Sequence, residues 1–154
     1  MKLSFIAATV YLAAGIASGL FYREFTKAND FPEGGATQLG VVHTHLLVLG
    51  FLVFLIVLVL DRLFGIARGP LFQWFFWTYN AGVLLTAAMM VVHGSLTVLG
   101  EASSAAIAGI AGMGHILLTI ALALLMVSLG RRIFGAGRAA AAPAVEEAGA
   151  VTAP

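Results

Sequence analysis

Four histidines, His43, His45, His93 and His115, are the only ones in the chain, and each lies inside one of its most apolar stretches. A neutral imidazole presents one nitrogen as a donor and the other as a lone pair. The chemistry open to such a set is therefore metal or haem ligation, proton handling, or hydrogen bonding between helices. The absence of cysteine excludes thiolate metal sites, iron–sulfur clusters and disulfide relays. The only acidic residue near the expected depth of the histidines is Glu101, at the outer rim, which makes zinc a less natural occupant than haem or copper. No GxxxxGK phosphate loop occurs, and nothing points to nucleic acid.

The elements that must position these imidazoles are transmembrane helices. The 154 residues are 61% hydrophobic and 10% charged, whereas charged residues approach a quarter of a soluble domain. Four apolar stretches, Phe5 to Tyr22, Leu39 to Leu60, Leu71 to Leu99 and Ala105 to Leu129, each supply the roughly 20 helical residues that cross about 30 Å of hydrocarbon. Unbroken Leu, Val and Phe runs are not the alternating pattern of porin strands. The expected fold is all-α, with four transmembrane helices over residues 1–133 and an Ala/Pro-rich disordered cytoplasmic tail over 134–154. The connecting intervals are too short for a water-soluble catalytic domain.

Lys2, Arg62, Arg68, Arg131, Arg132 and Arg138 fall on one side of this arrangement and only Arg23 and Lys27 on the other. Both termini are therefore expected in the cytoplasm, with Trp74 and Trp77 in the inner aromatic belt. The first stretch reads as a retained span, because no convincing small-residue cleavage site precedes Arg23.

Counting along the alternating spans puts the four histidines at similar depths in the outer half of the membrane, where they could share a ligand. His43 and His45 are about 200° apart on one helix and must serve opposite sides of it. Met89 and Met90 give the third span a soft face beneath His93, and Gly112 leaves room beside His115. Gly15 and Gly19 form a small-xxx-small pair for close helix packing, and Gly109, Gly112 and Gly114 a further small-residue set. Tyr11 and Ser18 are candidate donors to a propionate or an entering ligand, and depth favours Tyr22 and Ser18, both nearer the outer side. Arg23 is a candidate partner for a haem propionate, or else a solvated partner of Glu24. Tyr79 and Asn80 read as interhelical ties or as a quinone pocket.

The runs Gly19-Leu-Phe-Tyr-Arg-Glu-Phe-Thr-Lys27, Gln38-Leu-Gly-Val-Val-His-Thr-His-Leu-Leu-Val-Leu-Gly50, Trp74-Phe-Phe-Trp-Thr-Tyr-Asn80 and Gly109-Ile-Ala-Gly-Met-Gly-His115 together resemble an uncharacterised family of small bacterial four-helix membrane proteins. The resemblance covers Leu3 to Ile133 and implies a multi-pass protein of the bacterial cytoplasmic (inner) membrane. His43-Thr-His45 also resembles the histidine-x-histidine helix of the haem–copper oxidase main subunit, in which the two histidines serve different haems. By that likeness His43 would match the high-spin haem ligand and His45 the low-spin one. The paired-histidine copper motif and the histidine-linked tyrosine of that family are absent. Because that subunit resembles three four-helix units, the likeness also implies a homo-oligomer, specifically a homotrimer.

The leading expectation is a haem-b protein that transfers electrons or binds a diatomic gas, NO or O2, near the outer leaflet. His45 would be one axial ligand, His93 or His115 the other, and His43 would serve a second site. A redox partner or quinone would complete the electron path. The alternatives are a copper-binding or copper-delivery protein using the histidines with Met89, Met90 and Met113, and a structural or accessory subunit without a cofactor.

Overall fold

The computed structural model describes residues 1–140, with side chains as far as Gly135; the end of the tail expected to be disordered, from residue 141 on, lies outside the described residues. Four helices follow one another: α1 (Lys2–Ala28), α2 (Leu39–Phe64), α3 (Pro70–Val98) and α4 (Ala105–Ala140). All four are long and apolar enough to cross a membrane. With no water in the hydrocarbon to satisfy backbone groups, helices that pair them internally are the form such segments can take.

The helix ends follow local chemistry. Gly65, at φ 63°, closes α2 in the left-handed conformation that a side chain disfavours. Pro70 starts α3 at its first helical position, where its missing N–H is no loss. The first helix extends past the expected Tyr22 to Ala28, where Asn29 Nδ2 donates to the Phe25 carbonyl at 2.8 Å.

One feature of α2 has no counterpart in the hydrophobic pattern: Leu46–Leu52 is wound as a π-helix. The Val53 N–H donates to the carbonyls of Val48 and Gly50 and bypasses that of Leu49, its ordinary α-helical partner. The wider winding also turns everything below it relative to the His43–His45 turn.

α2 and α3 form the central antiparallel pair. An aromatic cluster of Phe54 on α2 with Phe72, Phe75, Phe76 and Tyr79 on α3 fills the half of the pair nearer Gly65 and Pro70, and Tyr11 of α1 stacks on Phe54 with ring centres 5.9 Å apart. Gly94 brings α3 against the start of α2, where a Cβ would stand 2.5 Å from the Leu39 nitrogen. Gly15 and Gly19 do pack closely, facing Leu47 and His43 of α2. Of Gly109, Gly112 and Gly114 in α4, only Gly114 meets a neighbour, Thr86 of α3, whereas Gly109 and Gly112 face open space.

This difference is testable. Gly94→Ala must push backbone against backbone and should destabilise the protein by about 1–3 kcal/mol. Gly112→Ala meets nothing and should leave stability unchanged or raise it by up to about 1 kcal/mol, through helix propensity. Thermal unfolding of the two variants in one mild detergent distinguishes them. Equal effects would contradict the packing described.

Candidate functional site

The polar groups that cross between helices are few, and each has a structural task. Tyr79 Oη donates to the Leu49 carbonyl at 2.9 Å, the carbonyl that the π winding leaves over. Tyr11 Oη donates to Asn80 Oδ1 at 2.8 Å, and Asn80 Nδ2 donates to the Phe76 carbonyl of its own helix at 2.7 Å. Thr37 Oγ1 donates to the Gly94 carbonyl at 2.9 Å and ties the start of α2 to α3. Tyr11, Tyr79 and Asn80 are thus engaged as interhelical ties. Ser18, the other candidate donor, is turned back onto the Gly15 carbonyl.

The histidines divide into two kinds. In His45 the ring Nδ1 lies 3.0 Å from the Val41 carbonyl, and in His115 it lies 3.1 Å from the Ala111 carbonyl, four residues earlier in each helix. A carbonyl only accepts, so Nδ1 is the donating nitrogen in both contacts and Nε2 is the nitrogen turned away from the helix backbone. In His43 and His93 the Nδ1 is buried with no hydrogen-bond partner among the described residues. Thr44 Oγ1 lies 3.3 Å from His43 Nε2. No hydrogen bond from a histidine ring to another helix is found among the described residues.

The expected single layer of imidazoles is not what the helix contacts imply. Gly94 faces Leu39, and Gly114 faces Thr86, which fixes the register of α3 against both neighbours. Counting about 1.5 Å per residue from those contacts, His93 lies highest, His43 about 4–5 Å lower, His45 about 7–8 Å lower and His115 about 12 Å lower. Among the described residues no three His, Asp or Glu side chains gather into a metal-binding group.

Direction separates them further. On α3 the face toward α2, carrying Gly94, lies between the face of Asn80, which meets α1, and the face of Gly82 and Thr86, which meets α4. The outer helices α1 and α4 therefore flank the central pair from opposite sides. On α2, Gly40, His43 and Leu47 face α1 through Tyr22, Gly19 and Gly15. His45, about 200° around from His43, is turned away from α1 beside Thr44, Val48 and Leu49, with which it lines an open cavity of about 210 Å³. On α4 the cavity formed by Leu71, Ser128 and Arg131 marks the edge of the α3 contact that faces away from α2. His115 is exposed on the other edge. The cavity beside His45 is lined by α2 residues alone and His115 is exposed on α4, so among the described residues no pocket joins the two rings, which lie about 4–5 Å apart in height by the same count. His93, seven residues after Thr86, faces α4 from above, and His43 is on the opposite flank.

Toward the C-terminal end of α1, Arg23 Nε pairs with Glu24 Oε1 at 3.5 Å, and both side chains are well exposed, so the solvated pair is the arrangement observed. Arg23 also lines an open cavity of about 720 Å³ with Tyr22, Lys27, Asp30 and Glu33. Charges of both signs surround this open hollow.

The model of the family described as "Protein of unknown function (DUF2871)" matches residues 1–132, and the chain belongs to that family. No curated protein and no solved structure matches it. The likeness of His43-Thr-His45 to the oxidase helix therefore has no support from relatives.

Sequence reasoning did not find the partnership of Tyr79 with the Leu49 carbonyl, because a π turn leaves no mark in hydropathy. Tyr79→Phe keeps the ring in the aromatic cluster but strands that carbonyl. It should cost about 1–3 kcal/mol, the desolvation of an unsatisfied buried group, in a detergent unfolding titration. A loss no larger than that of an exposed control such as Thr9→Val would contradict the role given to this bond.

Proposed function

We propose that this member of the DUF2871 family is an accessory, non-catalytic membrane subunit, a stiff four-helix insert that docks on another membrane component through its α4 flank. The observation that carries the reading is where the polar chemistry goes: Tyr11, Asn80, Tyr79 and Thr37 all hold helices together. The flank follows from α4 itself. That helix packs mainly on α3, and its outward side combines the gaps at Gly109 and Gly112 with the exposed His115. Small residues let a second helix approach closely, and a polar side chain facing lipid gains from a partner.

Haem b bound through His45 and His115, for electron transfer or diatomic gas binding, is the second reading, and one observation favours it. In both rings the Nδ1 proton is held by a backbone carbonyl, the arrangement that orients an imidazole for ligation through Nε2. The fit is incomplete within one chain. The cavity beside His45 is about 210 Å³, below the roughly 300–1,000 Å³ of cofactor pockets, so a haem would need a further wall from a second copy. Copper has less support, since Met90 is buried in the core whereas Met113 lies exposed on α4.

Ile116, on the same side of α4 as Gly109 and Gly112, is 61% exposed and Ile16 of α1 is 57% exposed, and a photo-crosslinking amino acid at each position in the native membrane tests the docking reading. A discrete protein adduct from position 116 and none from 16 is expected; lipid adducts alone from 116 would overturn it. The absorbance spectrum of protein purified from haem-supplied cells tests the second reading. A Soret band lost in His45→Ala and His115→Ala but kept in His43→Ala and His93→Ala supports it. A band insensitive to His45 and His115, or none, removes it.

A further inference from the structure

We propose that the cavity where α3 begins binds the phosphate of an anionic lipid headgroup. It measures about 210 Å³ and is lined by Gly69, Pro70, Leu71, Ser128, Arg131 and Arg132. Liquid water occupies about 30 Å³ per molecule, so the space exceeds what a phosphate group needs.

Three independent features converge there. The first is the N-terminus of a 29-residue helix that has neither a side-chain cap nor an acidic residue in its first turn. Pro70 has no N–H and that of Phe72 donates to the Gly69 carbonyl at 3.2 Å, so the positive pole left without a counter-charge comes from the helix dipole and the N–H of Leu71. The second is Arg132, whose Nη2 comes so near the helix start that a Cβ on Gly69 would lie 3.9 Å from it. Two positive groups facing one another across a hollow are mutually unfavourable, and an anion between them reverses the sign of the interaction. Among the described residues the ion pairs are Met1 with Asp61 and Arg23 with Glu24, so no carboxylate there supplies that anion. The third is Ser128, a side chain only 6% exposed that nonetheless lines the cavity and has no hydrogen-bond partner among the described residues. A hydroxyl at the cavity wall on an otherwise buried residue, beside a guanidinium and a helix N-terminus, adds a donor for a phosphate oxygen.

The location selects the source of the phosphate. The cavity lies at the end of the bundle that also carries Arg62 and Arg68, where α3 enters its apolar span. Basic hollows between helices at that level meet lipid headgroups, and anionic lipid is concentrated on the side that positive residues face.

The test uses the full chain in a zwitterionic detergent, titrated with short-chain phosphatidylglycerol, short-chain phosphatidylcholine, or inorganic phosphate at matched phosphorus concentration. Binding is read by native mass spectrometry and by the unfolding midpoint. Phosphatidylglycerol should bind and raise the midpoint, with phosphatidylcholine weaker. Arg132→Gln should bind phosphatidylglycerol about fivefold more weakly, and Arg62→Gln, on the same basic face but outside the cavity, should bind as the unaltered chain does. Ser128→Ala provides a second variant should Arg132→Gln fail to fold. A matching response to inorganic phosphate supports the site and assigns it to the phosphate moiety alone, whereas no response to it supports the lipid as source. Equal weakening by Arg62→Gln and Arg132→Gln, or no preference for phosphatidylglycerol, overturns the proposal.

Discussion

A polar group inside hydrocarbon has no water to turn to, and the hydrogen bond from Tyr79 to the Leu49 carbonyl shows how this architecture depends on that constraint. The π winding of α2 releases one carbonyl in the middle of the apolar layer. Without a donor from α3 the cheaper course would be ordinary α winding. With it, α2 keeps a wide turn and rotates its inner half relative to the His43–His45 turn. Phe54 can then meet both Tyr11 and the α3 aromatics, while His45 remains on the flank away from α1.

The same constraint explains the two classes of histidine. His45 and His115 satisfy their inner nitrogen with the carbonyl one turn back, so no other helix is needed and the outer nitrogen stays available. His43 and His93 are held among neighbouring helices with Nδ1 unpartnered among the described residues. An acceptor nitrogen without a donor costs less there than an unpaired N–H, which favours placing their proton on Nε2. The four imidazoles are thus a pair of outward-directed rings and two enclosed ones on opposite flanks, rather than one constellation.

How much of this was legible beforehand depends on what hydropathy encodes. The four spans were, because apolar length is a local property, and the stretch beginning at Leu39 starts where α2 starts. The opposition of His43 and His45 followed from helical geometry alone. The end of α1 at Ala28 was less visible, since a helix can continue past the hydrocarbon wherever its side chains cap the last carbonyls. The single-depth reading of the histidines failed because counting from the ends of apolar stretches ignores the stagger between helices, which Gly94 against Leu39 and Gly114 against Thr86 determine. Nor can a count of glycines tell Gly114, in contact, from Gly109 and Gly112, in the open.

The claim that the outward flank is chemically prepared while the interior is structural rests on where the protons of two rings reside. Solid-state ¹⁵N spectra of histidine-labelled protein in lipid, assigned by single substitutions, measure this directly. The account predicts protonated Nδ1 and bare Nε2 for His45 and His115 at neutral pH. Finding the proton on Nε2 in these two rings, with Nδ1 bare, would contradict it.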